Sequence, residues 1–83
     1  MAGKPAGRQL TIQVASVKSP QVADRMVRDL KQKGYPAYTR IGKVAGKGIW
    51  YQVRVGHFSS RQKAADMVTR LRRDNWKALV VGR

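Results

Sequence analysis

The 83-residue sequence contains no cysteine, no glutamate and only one histidine. Without cysteine there is neither a disulfide framework nor a thiolate metal site, and the cellular compartment stays open. Hydrolysis of a glycan needs two carboxylates held about 5–9.5 Å apart. The four aspartates all fall in segments with helical periodicity: Asp24, Asp29, Asp66 and Asp74. The sequence therefore predicts a binding protein, not a glycan hydrolase or a metalloenzyme.

Acidic residues are scarce beside the 18 lysines and arginines, and the formal net charge is +14. Such a charge attracts polyanions by steering and counterion release. Nucleic acid, anionic lipid and anionic cell-wall polymer all fit, and a plain solvated surface is the alternative. No run of roughly 18–20 apolar residues is present, so no membrane-spanning helix is expected. Residues 1–7 are predicted to be a disordered leader to one domain over residues 8–83.

One histidine and one glycine-rich segment could suggest catalysis or phosphate binding, but neither has the pattern that such a site requires. His57 follows Gly56 at a strand end with no carboxylate close in sequence, as expected for a lone histidine in a turn. The segment GKVAGKG at 42–48 lacks the spacing and the terminal Ser or Thr of a phosphate-binding loop. It is predicted to be a flexible basic loop, with Lys43 and Lys47 at the rim of a binding face.

The sequence contains an internal duplication. Residues 12–38 and 51–79 align as two strand–helix–strand units, at an offset of 39 in the strands and 41 in the helices. This difference predicts a two-residue longer turn in the second unit. Alternation of apolar and polar residues predicts strands over about 9–17, 49–56 and 77–81. Each helix has an apolar stripe: Ala23, Met26, Val27 and Leu30 in the first, and Ala64, Met67, Val68 and Leu71 in the second.

The ends of both helices have recognisable signals. Ser19 is the predicted N-cap of the first helix, which ends at Gly34. The second helix begins after Ser59 or Ser60; with Ser59 as the cap, Gln62 completes a capping box. Asn75 is expected to adopt the left-handed backbone that Gly34 adopts in the first unit.

The predicted fold is therefore α+β. Its order is βαββαβ, with a four-stranded antiparallel sheet and two helices packed on one face, in the ferredoxin-like (RNP-like) arrangement. Short crossovers place both helices on the same side, so the other sheet face is bare. By alternation that face carries Thr11, Gln13, Ala15, Tyr38, Arg40, Trp50, Gln52, Arg54, Lys77, Leu79 and Val81.

Trp50 is the most informative residue of the bare face. An indole among amide and guanidinium groups can stack on a sugar ring or a base. The alternative is that Trp50 covers a hydrophobic edge or contacts the nearby loop. RNA-recognition motifs have the same βαββαβ order, so an RNA-binding module is the rival prediction. They stack bases on rings from both central strands, however, and Thr11, Gln13 and Ala15 provide no ring.

Three motifs of this sequence together resemble the SPOR (sporulation-related) domain. They are Ile12-Gln13-Val14-Ala15-Ser16, Gly34-Tyr35-Pro36-Ala37 and Val53-Arg54-Val55-Gly56-His57-Phe58. The resemblance extends from about Arg8 to Gly82. Departures from the family pattern are Leu10 for an aromatic residue, Ala15 for Gly, Val17 for Phe and His57 for Pro.

The resemblance implies a non-catalytic module that binds peptidoglycan glycan strands, in particular septal strands from which amidases have removed the stem peptides. It implies a role in the periplasm or cell envelope of a bacterium, within a larger protein that the module targets to the division site or cell wall. Positions matching the family's binding residues are Gln13, Ser16, Trp50, and Leu79 or Val81. We expect a monomer that needs no cofactor or metal.

Stem-peptide removal frees a lactyl carboxylate on each N-acetylmuramic acid, which suits a cationic face. The resulting hypothesis pairs Arg54, Arg40 and Lys43 or Lys47 with carboxylates, stacks Trp50 on a sugar, and has Gln13 and Ser16 bond N-acetyl or hydroxyl groups. Ser16 has the opposite parity to Gln13 and is expected to reach the ligand from the strand end. The candidate ligand-binding residues are Gln13, Ser16, Tyr38, Arg40, Trp50, Gln52, Arg54, Leu79 and Val81.

A third possibility is a protein-interaction or membrane-surface module. The helices carry arginines on their polar faces that could meet an acidic surface, although such faces are more often simply solvated. These residues are Arg25, Arg28, Arg61, Arg70 and Arg73.

Overall fold

The computed structural model describes residues 9–82, and the predicted leader lies outside them. The elements follow the predicted βαββαβ order: β1 (Leu10–Val17), α1 (Pro20–Gln32), β2 (Ala37–Val44), β3 (Gly48–Phe58), α2 (Arg61–Arg73) and β4 (Leu79–Gly82). The last strand therefore begins two residues later than predicted, and Lys77 lies outside it. No helix in the described range is long and apolar enough to cross a membrane.

The four strands form one sheet in the order β2-β3-β1-β4, and every neighbouring pair is antiparallel. Ile12 and Val14 of β1 and Val53 and Val55 of β3 form one buried cluster with side chains of both helices. Because a single cluster joins both helices to the two central strands, the helices cover the same face. The predicted fold class is confirmed.

Both predicted apolar stripes pack into this core. The helix residues Ala23, Leu30, Ala64 and Leu71 are fully buried. The four other stripe residues, Met26, Val27, Met67 and Val68, are partly buried against the same cluster. Spacing of 3.6 residues per turn puts each stripe on one side of its helix, and burial of that side holds the helix on the sheet.

The helix N-caps distinguish between the two sequence alternatives. The Ser19 hydroxyl accepts a hydrogen bond from the Val22 N–H, as predicted. In α2 the cap is Ser60, whose hydroxyl accepts from the Lys63 N–H. The alternative with Ser59 as cap and Gln62 in a capping box is therefore wrong.

Both helices end in the same left-handed motif. Gly34 has φ +92° and Asn75 has φ +68°, so Asn75 adopts the predicted role. The N–H groups of Tyr35 and Trp76 donate to the carbonyls of Leu30 and Leu71. Each of these hydrogen bonds spans six residues. Within it, the N–H groups of Gly34 and Asn75 donate to the carbonyls of Lys31 and Arg72. This pair of hydrogen bonds is the Schellman motif.

One offset relates the two units throughout. The connection between strand and helix has two residues in each unit, 18–19 and 59–60. The buried residues Ile12 and Val14 correspond to Val53 and Val55 at a spacing of 41, the same as between the two serine caps. The predicted strand offset of 39 and the longer turn are wrong. Alternation makes every second position of a strand similar in type, so a slip of two residues still aligns Gln with Gln and Val with Val.

The segment GKVAGKG is mostly strand. Gly42–Val44 belong to β2 and Gly48 begins β3, so residues 45–47 alone connect them. The Lys47 N–H donates to the Val44 carbonyl at 2.9 Å, and Gly46 has φ +77°. The predicted flexible loop is therefore a tight turn. We call residues 41–51 the hairpin tip.

Candidate functional site

The register of the sheet defines the face that the helices leave open. Paired residues of antiparallel strands point to the same side. Gln13 pairs with Arg54 and with Leu79, Arg54 pairs with Tyr38, and Arg40 pairs with Gln52. Seven of the predicted positions thus lie on one face with Trp50: Gln13, Tyr38, Arg40, Gln52, Arg54, Leu79 and Val81.

A β-bulge in β1 brings Ser16 onto that same face. Between Gln13 and Ala15 the strand advances two residues while β3 advances one, from Arg54 to Val53. After this irregularity Ser16 pairs with Gln52, so it shares the open face. The predicted opposite parity of Ser16 and Gln13 is wrong, because the bulge inverts the alternation between them.

The same bulge removes Ala15 from the open face. Ala15 pairs with Val53 and packs against the buried cluster. Its predicted place on the bare face is therefore wrong. Simple alternation across eight residues cannot show where a bulge inserts, although two adjacent small apolar residues, Val14 and Ala15, were a possible signal.

Trp50 lies beside a shallow pocket of ≈ 250 Å³ lined by Ser16, Val44, Lys47, Trp50 and Gln52. The indole is partly buried, and the Lys18 ammonium lies 5.1 Å from the ring centroid. The pocket therefore combines an aromatic wall, an amide and a hydroxyl, as sugar-binding surfaces do. The alternative prediction was that Trp50 contacts the nearby loop, and two residues of that segment, Val44 and Lys47, line the same pocket as the indole.

Sequence reasoning missed Val44 and Lys18 as neighbours of the indole. Val44 was assigned to a loop, and Lys18 follows β1, where strand alternation no longer applies. Lys43, in contrast, pairs with Ile49 on the helix side of the sheet. Of the two rim lysines in the prediction, Lys47 alone lines this pocket.

Arg54 is a buried cation in the middle of the open face. Its side chain is 6% exposed, and its Nε donates to the Gln13 Oε1 at 3.2 Å. No carboxylate within the described part of the chain forms an ion pair with it. A guanidinium has five N–H donors and a permanent charge. A buried charge of this kind is ordinarily compensated by a counter-charge, so this position favours an anionic group of a ligand.

The opposite end of the face is filled by the protein's own side chains. Thr11 is fully buried rather than exposed, because the Tyr38 hydroxyl donates to its Oγ1 at 2.8 Å. Thr11 Oγ1 in turn donates to the Gly56 carbonyl at 2.7 Å. The Tyr38 ring stacks on His57, with centroids 5.0 Å apart. His57 therefore lies within β3 as a stacking neighbour, not in a turn as predicted.

These contacts limit the free part of the face. Leu79, opposite Gln13, is 62% exposed, whereas Val81, opposite Thr11, is partly buried. The available surface runs from the Trp50 pocket across Gln52 and Arg54 to Leu79. Of the two apolar candidates on β4, Leu79 is the better placed.

Two further hollows among the described residues lie at the ends of the helices. The larger, of ≈ 420 Å³, is lined by residues of both C-terminal ends, including Asp29, Asp74 and Trp76. In the smaller, of ≈ 220 Å³, Tyr35 donates to Asp74 Oδ2 at 2.7 Å. Within residues 9–82 no cluster of three or more His, Cys, Asp or Glu could hold a metal ion. These hollows contain no chemistry beyond the helix-end contacts.

Comparison with known proteins identifies a family and a fold. The SPOR domain family model matches residues 6–82. The solution structure of the peptidoglycan binding domain of the B. subtilis cell wall lytic enzyme CwlC is similar, with a TM-score of 0.79 at 20% identity, covering 100% of this chain and 99% of that one. At that identity the likeness shows a shared fold. No curated protein matches the sequence.

Proposed function

Because this chain belongs to the SPOR domain family, we propose that it is a peptidoglycan-binding module whose ligand lies on the open face of the sheet. The module binds and does not catalyse, whatever activity accompanies it in a larger protein. The similarly folded CwlC domain is also a peptidoglycan binding domain. The RNA-binding alternative has no support from either comparison, and β1 offers no ring for base stacking.

The observation that carries the proposal is a set of complementary groups on one face. The Trp50 indole, the Ser16 hydroxyl and the Gln52 amide line one pocket. The buried Arg54 guanidinium lies on the same face. The indole suits a sugar ring, the polar groups suit N-acetyl and hydroxyl groups, and the guanidinium suits a carboxylate.

The preferred form of the ligand in this proposal is a glycan strand without stem peptides. Removal of a stem peptide from N-acetylmuramic acid converts a lactyl amide into a carboxylate, so a denuded strand gains one negative charge per disaccharide. Arg54 has no counter-charge in the described chain, and Arg40 lies on the same face two residue pairs away. A strand with free carboxylates would neutralise both. The module would then direct its parent protein to division septa or other envelope sites where amidases act.

Cosedimentation with intact sacculi, amidase-treated sacculi and RNA, measured in parallel, tests this function. We expect enrichment on amidase-treated sacculi that weakens as salt is added, since ion pairs are screened. Trp50→Ala should weaken binding roughly three- to tenfold through loss of stacking. Arg40→Gln should reduce the salt dependence, while Lys63→Gln, an equal loss of charge on exposed α2, should change binding much less.

Three results would contradict different parts of the proposal: the ligand preference, the role of Trp50 and the function itself. Equal binding to intact and treated sacculi would remove the preference for denuded strands and leave peptidoglycan binding in place. Full binding by the Trp50→Ala variant would remove the indole from the site. Retention by RNA and not by sacculi would overturn the function itself.

A further inference from the structure

Exposed apolar side chains are concentrated at the hairpin tip. Among the described residues, four large apolar side chains are prominently exposed, and three lie within this segment: Ile41 at 61%, Val44 at 44% and Ile49 at 46%. The fourth, Leu79, is on β4. Apolar side chains that are exposed close together, unlike ones scattered singly over a surface, mark a candidate contact with another component.

The exposed residues of the tip lie on both faces of its two-stranded ribbon. Ile41 pairs with Tyr51 and Ile49 pairs with Lys43, in the alternation that places Ala37 and Val55 against the helices. Val44, which pairs with Gly48, belongs to the opposite face. Ile41 and Ile49 are about half exposed. The helices therefore do not cover this end of the face on which they pack.

The charge around these residues has one sign. The sequence has no acidic residue between Asp29 and Asp66, so the whole β2–β3 hairpin lacks carboxylates. Lys43 and Lys47 are exposed in the tip, and Lys18 lies next to Trp50. The tip thus combines aliphatic side chains with ammonium groups on flexible stems.

An anionic lipid bilayer is the partner that fits this combination. A groove of a protein would cover one face of the ribbon, whereas a membrane interface surrounds an inserted tip and takes aliphatic groups from both faces. Lysines beside the inserted residues can extend to lipid phosphates. We propose that the hairpin tip is an interfacial membrane anchor that inserts Ile41, Val44 and Ile49 into the surface of an anionic bilayer.

A second copy of the chain is a poorer occupant of this surface. Two copies would each bring a charge of +14, and the exposed edge strand β2 bears Arg40 and Lys43, which oppose edge-to-edge pairing. Ile41 and Ile49 are also on the side of the sheet opposite the proposed glycan site. Val44 and Lys47, in contrast, also line the pocket beside Trp50. Substitutions at Ile41 and Ile49 are therefore the ones that change membrane binding without altering the proposed glycan site.

Vesicle cosedimentation of the full 83-residue chain tests the anchor. The two vesicle types are phosphatidylglycerol with phosphatidylcholine in equal parts, and phosphatidylcholine alone. We expect binding to the anionic vesicles, and a double variant Ile41→Ser with Ile49→Ser should weaken it roughly tenfold through lost apolar burial. Leu79→Ser, an equally exposed aliphatic side chain away from the tip, is the matched control and should bind vesicles as the parent chain does.

Folding of the double variant is checked by circular dichroism and by unchanged binding to amidase-treated sacculi. Undiminished binding of the folded double variant to anionic vesicles would overturn the proposal, because charge alone would then account for the attraction. Failure of the parent chain to bind anionic vesicles would also overturn it. Concentration-dependent self-association that the double variant abolishes would assign the patch to a second copy instead.

Discussion

Gly56 is the residue on which the end of β3 depends. Its φ is +71°, and a Cβ built on it would lie 2.7 Å from two ring atoms of Phe58. β3 has one extra residue between Val55 and Phe58 relative to β1. A left-handed glycine is the usual way to accommodate such a bulge. The Gly56 carbonyl also accepts the hydrogen bond from Thr11.

We predict that Gly56→Ala lowers the free energy of unfolding by about 2–4 kcal/mol, from left-handed strain together with the clash against Phe58. Urea denaturation measures the change. Gly46→Ala is the control, since Gly46 has φ +77° but nothing within 4 Å of the added carbon. It should lose only the strain, about 1–2 kcal/mol. Equal losses in the two variants would show that the Phe58 contact relaxes.

Tyr35 connects the two helix ends through a single hydroxyl. The ring is 4% exposed, and the hydroxyl donates to Asp74 at 2.7 Å. Burial, and then the hydrogen bond to Asp74 and its negative charge, raise the pKa of Tyr35 above its ordinary value of 10.0, against the opposing effect of Arg70. The folded chain therefore keeps this proton at a pH where the unfolded chain has begun to lose it.

The stabilising contribution of Tyr35 should be complete below about pH 10 and should decline as the pH rises through the folded-state pKa. Denaturation of the parent chain and of Tyr35→Phe at neutral and at high pH measures the difference. We expect the parent chain to lose more stability than the variant over this interval. The comparison cancels the titration of lysines and of other tyrosines. Parallel curves would contradict the prediction.

The bulge of β1 decides which side chains form the candidate site. Regular alternation places Gln13 and Ala15 together, whereas the observed strand places Gln13 with Ser16. Motif resemblance selected Gln13 and Ser16 together, but the residues alone offered no reason for them to share a face. β3 has a bulge of its own, between Val55 and Phe58.

Capping of α2 offers a test at the level of one element. Ser60→Ala should lower the free energy of unfolding by about 1 kcal/mol, because the Lys63 N–H loses its acceptor. Ser59→Ala removes a hydroxyl one residue earlier, outside the cap, and should be nearly neutral. Chemical denaturation of both variants gives the comparison. A larger loss for Ser59→Ala would favour the alternative start of the helix.

The whole molecule has a charge that opposes compaction while it favours anionic ligands. Folding concentrates a net charge of +14 into one small domain, and the unfolded chain holds the same charge at larger separations. Salt screens repulsion in the folded state and attraction to a ligand alike. Added salt should therefore raise the stability of the free domain and lower its affinity for an anionic ligand.

We predict that moderate sodium chloride raises the thermal midpoint of the free domain by several degrees, since about 1 kcal/mol corresponds to roughly 4–8 °C in a domain of this size. The same addition should weaken binding to amidase-treated sacculi. Calorimetry and cosedimentation at matched salt concentrations measure the two trends. A midpoint that falls with added salt would contradict the view that repulsion limits stability.

The sequence by itself determined the elements and the architecture. The helix stripes, the Ser19 cap and the left-handed Gly34 and Asn75 depend on contacts close along the chain, and each appears in the structure. Strand alternation depends on such contacts too, and it holds except where the bulge of β1 interrupts it. The internal repeat then required both helices to share one side. The predicted strand offset of 39 residues was wrong. Residue types in a strand alternate with a period of two, so an alignment that is shifted by two residues looks equally good.

Only the tertiary structure decided which residues share the open face and which of them are free. The register across β1 and β3 moved Ala15 to the core and Ser16 to the face, and pairing with Ile49 placed Lys43 on the helix side. Contacts across strands buried Thr11 beneath Tyr38 and, within residues 9–82, left Arg54 without a counter-charge. These outcomes depend on partners distant in sequence, whereas local periodicity describes one strand at a time.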